Sequence, residues 1–178
     1  TTHASDMIGK NNIQLSSDLM TPEALWAMGR IGTAASSPDG KQVVYLAKAL
    51  AQDDLSLMRH IGNHLPAHCT AVGKVLLSQY RDEELVQLYG DAPLEKMTVE
   101  SISALPVLLA ELRQVREQGY AIEQREANER AACVALPIYS SNGKMVAAFS
   151  VTFLAYEWES LVLEDILPVM KECRILAQ

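Results

Sequence analysis

The 178-residue chain has too few cysteines to be stapled. Its three, Cys69, Cys133 and Cys173, are odd in number and far apart, which argues against a disulfide framework and fits a reducing compartment. Basic clusters are missing as well. With 15 Lys and Arg against 22 Asp and Glu the net charge is −7, and no grouping of basic residues builds a patch for a phosphate backbone. No apolar run reaches membrane-spanning length and no signal peptide opens the chain, so no membrane partner is expected and the cytoplasm is the default. Internal repeats and low-complexity tracts are absent. What remains is an ordinary composition, 49% hydrophobic and 21% charged, in a chain long enough for one domain with a proper core.

Residues 1 to about 19 are polar and aperiodic and read as a lead-in, leaving 20–178 as the domain. Thr21-Pro22-Glu23 has the order of a helix start, and Gly29 and Gly32 stop that helix after two or three turns. Ser36-Ser37-Pro38-Asp39-Gly40 is a turn by composition. Gln42 to Ala47 and Leu55 to His60 read as strands, followed by a loop over 61–69. Thr70 caps a helix to about Gln79. A second helix runs from Asp82 to Tyr89 and ends on Gly90 as a left-handed cap. Ser103 caps a third, whose Leu105, Leu108, Leu109, Leu112 and Val115 form an apolar stripe that stops at Gly119. Strands at 120–125, 131–138 and 144–153 precede a last helix over roughly 160–177, with Pro168 in its first turn or at a kink. Helices and hairpins alternate without βαβ units. The expected fold is therefore α/β of the α+β kind, a mixed, largely antiparallel sheet with helices packed on it.

Asn142-Gly143 between two apolar strands is the strongest short-range hairpin signal and predicts a two-residue type I′ turn. Ser141 then faces Lys144, Cys133 faces Thr152, and Ala135 faces Ser150. Alternation puts Cys133, Ser150 and Thr152 on one face, and Val134, Leu136, Phe149, Val151 and Phe153 on the other. An apolar face backing a small polar face is how a sheet forms the floor of a ligand site. A bulge near Pro137, which cannot donate to the ladder, is the event that would break this register.

Other groups carry two readings each. Ala71-Val72-Gly73 at a helix start offers free N–H groups and the positive end of a dipole to an anion; close helix packing explains the same small residues. Ser150 and Thr152 either line a pocket or are strand hydroxyls satisfied by neighbours. Cys133 with His68 as base would make a hydrolase of small esters or amides; a small residue lining a cavity is the other reading. His60, His64, His68 and Cys69 invite a metal, but Gly62 and Pro66 break any helix that would align them, so no metal site is expected.

Leu65-Pro66-Ala67-His68 with Gly73-Lys74-Val75-Leu76-Leu77, Arg113 through Ala121 with its Gly119-Tyr120 junction, and Cys133 through Ile138 with Asn142-Gly143-Lys144 and Ala147 through Val151 resemble, in order and spacing, the signatures of IclR-type bacterial transcriptional regulators. The resemblance runs from about Gly40 to the C-terminus and covers their effector-binding domain. It implies a GAF-like curved sheet flanked by helices, with no enzymatic activity, catalytic residue, metal or cofactor. Effector contacts would fall on the Ala71 and Val72 backbone, Glu123, Cys133, Ser150 and Thr152. Beside a bound carboxylate, Glu123 would have to be protonated or meet a ligand hydroxyl. The implied partners are a small carboxylate metabolite and further copies of the chain in a homodimer or tetramer. DNA would be reached only through a winged helix-turn-helix that these residues do not include. The strand the family carries upstream of residue 40 is not visible in the pattern. Residues 19–45, with Thr21-Pro22-Glu23 and Ser37-Pro38-Asp39-Gly40, also resemble the propeller start of prolyl-oligopeptidase-type peptidases, but no Gly-x-Ser-x-Gly elbow accompanies them.

Overall fold

The computed structural model describes residues 30–50 and 62–176. The lead-in over 1–19, the helix start at Thr21 and the strand over 55–60 lie outside the described residues. Six strands form one curled sheet in the order β3-β2-β1-β6-β5-β4. They are β1 (Arg30–Ser36), β2 (Gln42–Leu50), β3 (His64–Pro66), β4 (Ala121–Gln124), β5 (Ala131–Tyr139) and β6 (Met145–Leu154), and every neighbouring pair is antiparallel. On one face lie α1 (Ala71–Leu77), α2 (Asp82–Tyr89) and α3 (Leu105–Gln118). The short α4 (Ala155–Trp158) leads to α5 (Leu163–Leu176), which covers the other. The edge strands β3 and β4 are three and four residues long, and short edges limit pairing with other chains.

The two faces bury different chemistry. Val134, Leu136, Phe149, Val151 and Phe153 meet Ile166, Val169 and Met170 of α5, as the alternation predicted. The opposite face presents Ala34, Val43, Ala121, Ala135 and Ala148 to α1, whose seven residues are all buried. Alanines allow α1 to sit close to the sheet, and Leu85 of α2 with Leu108, Leu112 and Val115 of α3 closes over it.

Four sequence expectations are corrected here. No helix ends at Gly32: residues 30–36 form β1, a central strand bonded to both β2 and β6. Its sequence, RIGTAAS, is dominated by small residues and lacks the alternating apolar signal of a strand covered on one face. The loop over 61–69 holds β3 and a 3₁₀ turn at Ala67–Cys69. Ser103 does not cap α3; Ala104 occupies that position without a side-chain bond, and Gly119 ends the helix in the left-handed region as expected. Gly90 has a positive φ of 65° but an extended ψ of −155°, so it closes α2 without being a left-handed helical cap. Pro168 lies inside α5.

The β5–β6 hairpin has the expected register and a different turn. Among the described residues Arg125 is the only non-glycine with positive φ, so Asn142 does not have the conformation a type I′ turn requires. Instead, the Gly143 N–H donates to the Ser140 carbonyl and the Ser140 N–H to the Lys144 carbonyl, both at 2.8 Å, with Gly143 at φ 79°. Ser140, not Ser141, thus faces Lys144. An irregularity between Ile138 and Tyr139 then shifts the pairing by one residue. From Ile138 to Ala131 the partners are those predicted, Cys133 with Thr152 and Ala135 with Ser150.

Candidate functional site

Backbone pairing lays the proposed floor across four strands. Glu123 of β4 pairs with Cys133 of β5, which pairs with Thr152 of β6; one step along, Ala121, Ala135, Ser150 and Gly32 of β1 form the next row. Cys133 Sγ is 3.2 Å from Thr152 Oγ1, so the two side chains share a face. Ser150 is buried on that face at 4% exposure. Cys133 packs against the same cluster as Ala71 and Val72 at the start of α1. The structure therefore gathers all six expected residues, Ala71, Val72, Glu123, Cys133, Ser150 and Thr152, between the sheet and one helix.

The helix start is built for packing as well as for polarity. Thr70 Oγ1 accepts the Gly73 N–H at 3.1 Å, leaving the N–H groups of Ala71 and Val72 without a partner inside the helix. A Cβ at Gly73 would fall 2.0 Å from the Ala67 carbonyl oxygen, so this glycine is required by the turn that precedes α1. Of the three small residues, Gly73 answers to close packing.

Glu123 meets the floor through a side-chain hydrogen bond with Cys133 and also holds its own loop. Its Oε1 accepts the N–H groups of Glu126 at 2.6 Å and Ala127 at 3.1 Å, folding residues 124–130 back over their own strand. Burial pushes its carboxyl up to about 7, opposed by the Ala127 N–H and reinforced by nearby Glu126. Lys74, 1% exposed, reaches the same loop: its Nζ donates to Glu126 Oε1 at 2.5 Å, Glu111 Oε1 at 3.2 Å and the Ile122 carbonyl at 3.3 Å. Three donors meet three acceptors, which is what a buried ammonium requires. Ser101 and Thr98 hold the loop from outside by donating to the carbonyls of Glu126 and Arg125, each at 2.6 Å.

Several motif residues have structural roles that sequence reasoning left unassigned. Arg116, three residues before Gly119, donates to the Ser78 and Tyr80 carbonyls at 2.9 and 2.6 Å and pairs with Asp82 at 3.0 Å, locking the α1–α2 corner. Lys74 could have been noticed as a lone charge in an apolar helix. Gly32, paired with Ser150, and Tyr45, whose ring edge lies against Gly32, carried no such mark.

The remaining expectations divide. His68 is buried, its Nε2 donating to the Glu95 carbonyl at 2.7 Å, and desolvation lowers its pKa. That bond fixes the tautomer with a bare Nδ1. Cys69 is inert by the same physics, since burial pushes its thiol up to about 12. His64 bonds exposed Gln42 instead of joining His68, and no metal-holding group of three or more His, Cys, Asp or Glu occurs among the described residues. A cavity of about 280 Å³ lined by Gln124, Arg125, Ala132 and Trp158 shares no residue with the floor; Gln124 and Ala132 neighbour Glu123 and Cys133 but point to the other face.

Residues 33–174 match the family model described as bacterial transcriptional regulator IclR C-terminal. The chain belongs to the IclR family. It is an effector-binding domain of this family of regulators, not of enzymes, and the motifs of the sequence all fall within the match. It is 33% identical over 115 residues to the HTH-type transcriptional regulator KdgR of Dickeya chrysanthemi, covering 65% of this chain and 38% of that protein. It is 33% identical over 116 residues to XynR of Escherichia coli, covering 65% and 46%. The chain thus spans less than half the length of these relatives. Among solved structures, the C-terminal domain of E. coli KdgR is 30% identical with a TM-score of 0.61, covering 72% of each chain. The Agobacterium tumefaciens repressor BlcR is 28% identical with a TM-score of 0.70, covering 84% of this chain and 57% of that one. A double mutant of the Acinetobacter PobR inducer-binding domain, complexed with 3-hydroxybenzoic acid, has a TM-score of 0.73 over 84% and 87%; at 24% identity this likeness concerns the fold. Residues 30–45 of this IclR domain, which also resemble a propeller start, are the β1–β2 hairpin of its own sheet.

Proposed function

We propose that this domain senses a small organic acid on the floor formed by Cys133, Ser150 and Thr152, with Glu123 beside it and the Ala71-Val72 backbone above. The observation that carries the reading is the shared face of Cys133, Thr152 and Ser150 beneath the start of α1, in a family of regulators. Hydroxyls and a thiol donate to a carboxylate, and the free N–H groups of a helix start add to them. A few charge-assisted bonds at about 1.5–3 kcal/mol each, less ordering costs, correspond to micromolar to millimolar affinity. That range suits a metabolite sensor. In the longer regulator the effector would set DNA affinity by preferring one arrangement of a homodimer or tetramer, because a ligand with no such preference shifts nothing. DNA contact belongs to a winged helix-turn-helix outside these residues, and such a regulator works in the cytoplasm. The Cys133–His68 hydrolase loses its ground, because the family and its named relatives are regulators.

Calorimetric titration of the domain with small acids tests this. In a folded Ser150→Ala/Thr152→Val variant, the best acid should bind roughly ten- to a hundredfold more weakly, the equivalent of one lost charge-assisted bond. Unchanged affinity in that variant would remove the floor from the binding site.

A further inference from the structure

We propose that Tyr45 is the specificity-determining wall of this site and makes it favour short-chain acids over aromatic ones. The inference rests on the acid-sensing reading above and adds a ligand size to it. Gly32 pairs with Ser150 in the second row of the floor. A Cβ built on Gly32 would lie 3.4 and 3.6 Å from Tyr45 Cε1 and Cδ1, and 3.8 Å from Ser150 Oγ. The Cδ1–Cε1 edge of the Tyr45 ring therefore lies against the bare backbone of Gly32, on the face that Ser150 also occupies. Tyr45 pairs with Ala34 from the neighbouring strand and packs on the cluster that holds Ala71, Val72, Ala135 and Ala148. It stands on the α1 side of the sheet, where the effector would lie.

The ring narrows the floor at the row of Gly32 and Ser150, which lies two residues along β6 from Thr152. A short oxo or hydroxy acid with its carboxylate toward Thr152 brings a slim tail to that wall, whereas a benzene ring bearing a carboxylate brings a rigid, wider one.

Tyr45 also covers a glycine in a central strand, and an aromatic side chain in that position stabilises a sheet whatever binds there. Selectivity separates the two roles. The probes are pyruvate and benzoate, titrated calorimetrically into the full chain, its Tyr45→Phe, Tyr45→Ala and Tyr45→Val variants, and Ser150→Ala/Thr152→Val. The wild-type chain should favour pyruvate, Tyr45→Phe should keep the ratio, and Tyr45→Ala or the larger Tyr45→Val should move it at least tenfold toward benzoate. A folded Ala or Val variant with the wild-type ratio, or a wild-type chain that favours benzoate, overturns the role of Tyr45 while leaving the acid site standing. If no acid binds the wild-type chain, or the Ser150/Thr152 variant binds as it does, the sensing reading itself falls. As a check from the opposite direction, Gly32→Ala adds one methyl at ordinary contact distance from Tyr45 and Ser150, and should weaken pyruvate binding without unfolding the chain.

Discussion

The two faces of the sheet share the same strands and divide the work. On the α5 side, Leu136, Phe149, Val151 and Phe153 pack against Ile166 and Met170, a contact of large apolar side chains. On the α1 side the strands contribute alanines, a glycine, a cysteine and two hydroxyls, and the buried set includes Lys74, Glu123 and Glu126. The strands' own contribution is thus large and apolar on the first face and small or polar on the second. Burying charge costs free energy even when it is paired, whereas buried hydrocarbon stabilises. On the α1 side the large apolar groups come from the helices, Leu76, Leu77, Leu85, Leu108 and Leu112 among them, and the strands keep small side chains and polar groups where a ligand approaches.

Truncation in the α5 core is the hardest blow to this division. Phe153 is 1% exposed in the α5 core, and Phe153→Ala should destabilise by about 3–5 kcal/mol in chemical denaturation. Because Phe153 points away from the floor, the surviving folded fraction should bind acid within about twofold of the wild-type affinity. A folded variant with sharply weakened binding would mean that the two faces are not independent.

The α5 side was legible in the sequence because large apolar residues alternate there over a long hairpin. The register followed from the same alternation: a one-residue slip would have turned Phe149, Val151 and Phe153 to the polar side. The turn was misread, and the irregularity at Ile138/Tyr139 compensated, so the core pattern was a better guide than the turn dipeptide. The α1 side was harder to read. β1 is hidden by its small residues, although it lies at the sheet's centre. The partners of Lys74 are 37 and 52 residues distant, and no local pattern joins them. Glu123 was placed at the site by family resemblance, while its hold on the 124–130 loop is a tertiary fact with no sequence signature.

The acidic cluster on the polar face sharpens the comparison through pH. The Glu123 carboxyl is raised from 4.5 to about 7, chiefly by burial, and burial raises Glu126 as well. An acid whose folded pKa is raised stabilises the fold in its neutral form. That contribution is fully present below about 4.5 and is lost as pH rises through about 7. For Glu123 the change is up to about 3 kcal/mol, at 1.36 kcal/mol per pKa unit. Urea denaturation at pH 5, 6, 7 and 8 should show stability falling across this window. Glu123→Gln keeps an oxygen for the Glu126 and Ala127 N–H groups and removes the charge, so its profile should be flatter. An equally steep profile would assign the pH dependence to other groups.

The smallest predicted effect lies at the start of α1, where the polar face meets its helix. Thr70 Oγ1 accepts the Gly73 N–H at 3.1 Å and lies 3.4 Å from the Ala67 carbonyl, joining the helix to the turn that Gly73 accommodates. Thr70→Ala removes a cap and should cost about 1 kcal/mol, with Thr70→Ser recovering most of it. Thr70 is 3% exposed, so water cannot readily replace the lost bond, and the cost should not fall to the few tenths typical of an exposed cap. The substitution frees the Gly73 N–H beside those of Ala71 and Val72. If the helix start holds the effector's carboxylate, Thr70→Ala should change acid affinity along with stability, while Phe153→Ala changes stability alone. Equal stability losses in the Ala and Ser variants, measured by denaturation, would show that the hydroxyl is not what closes this helix.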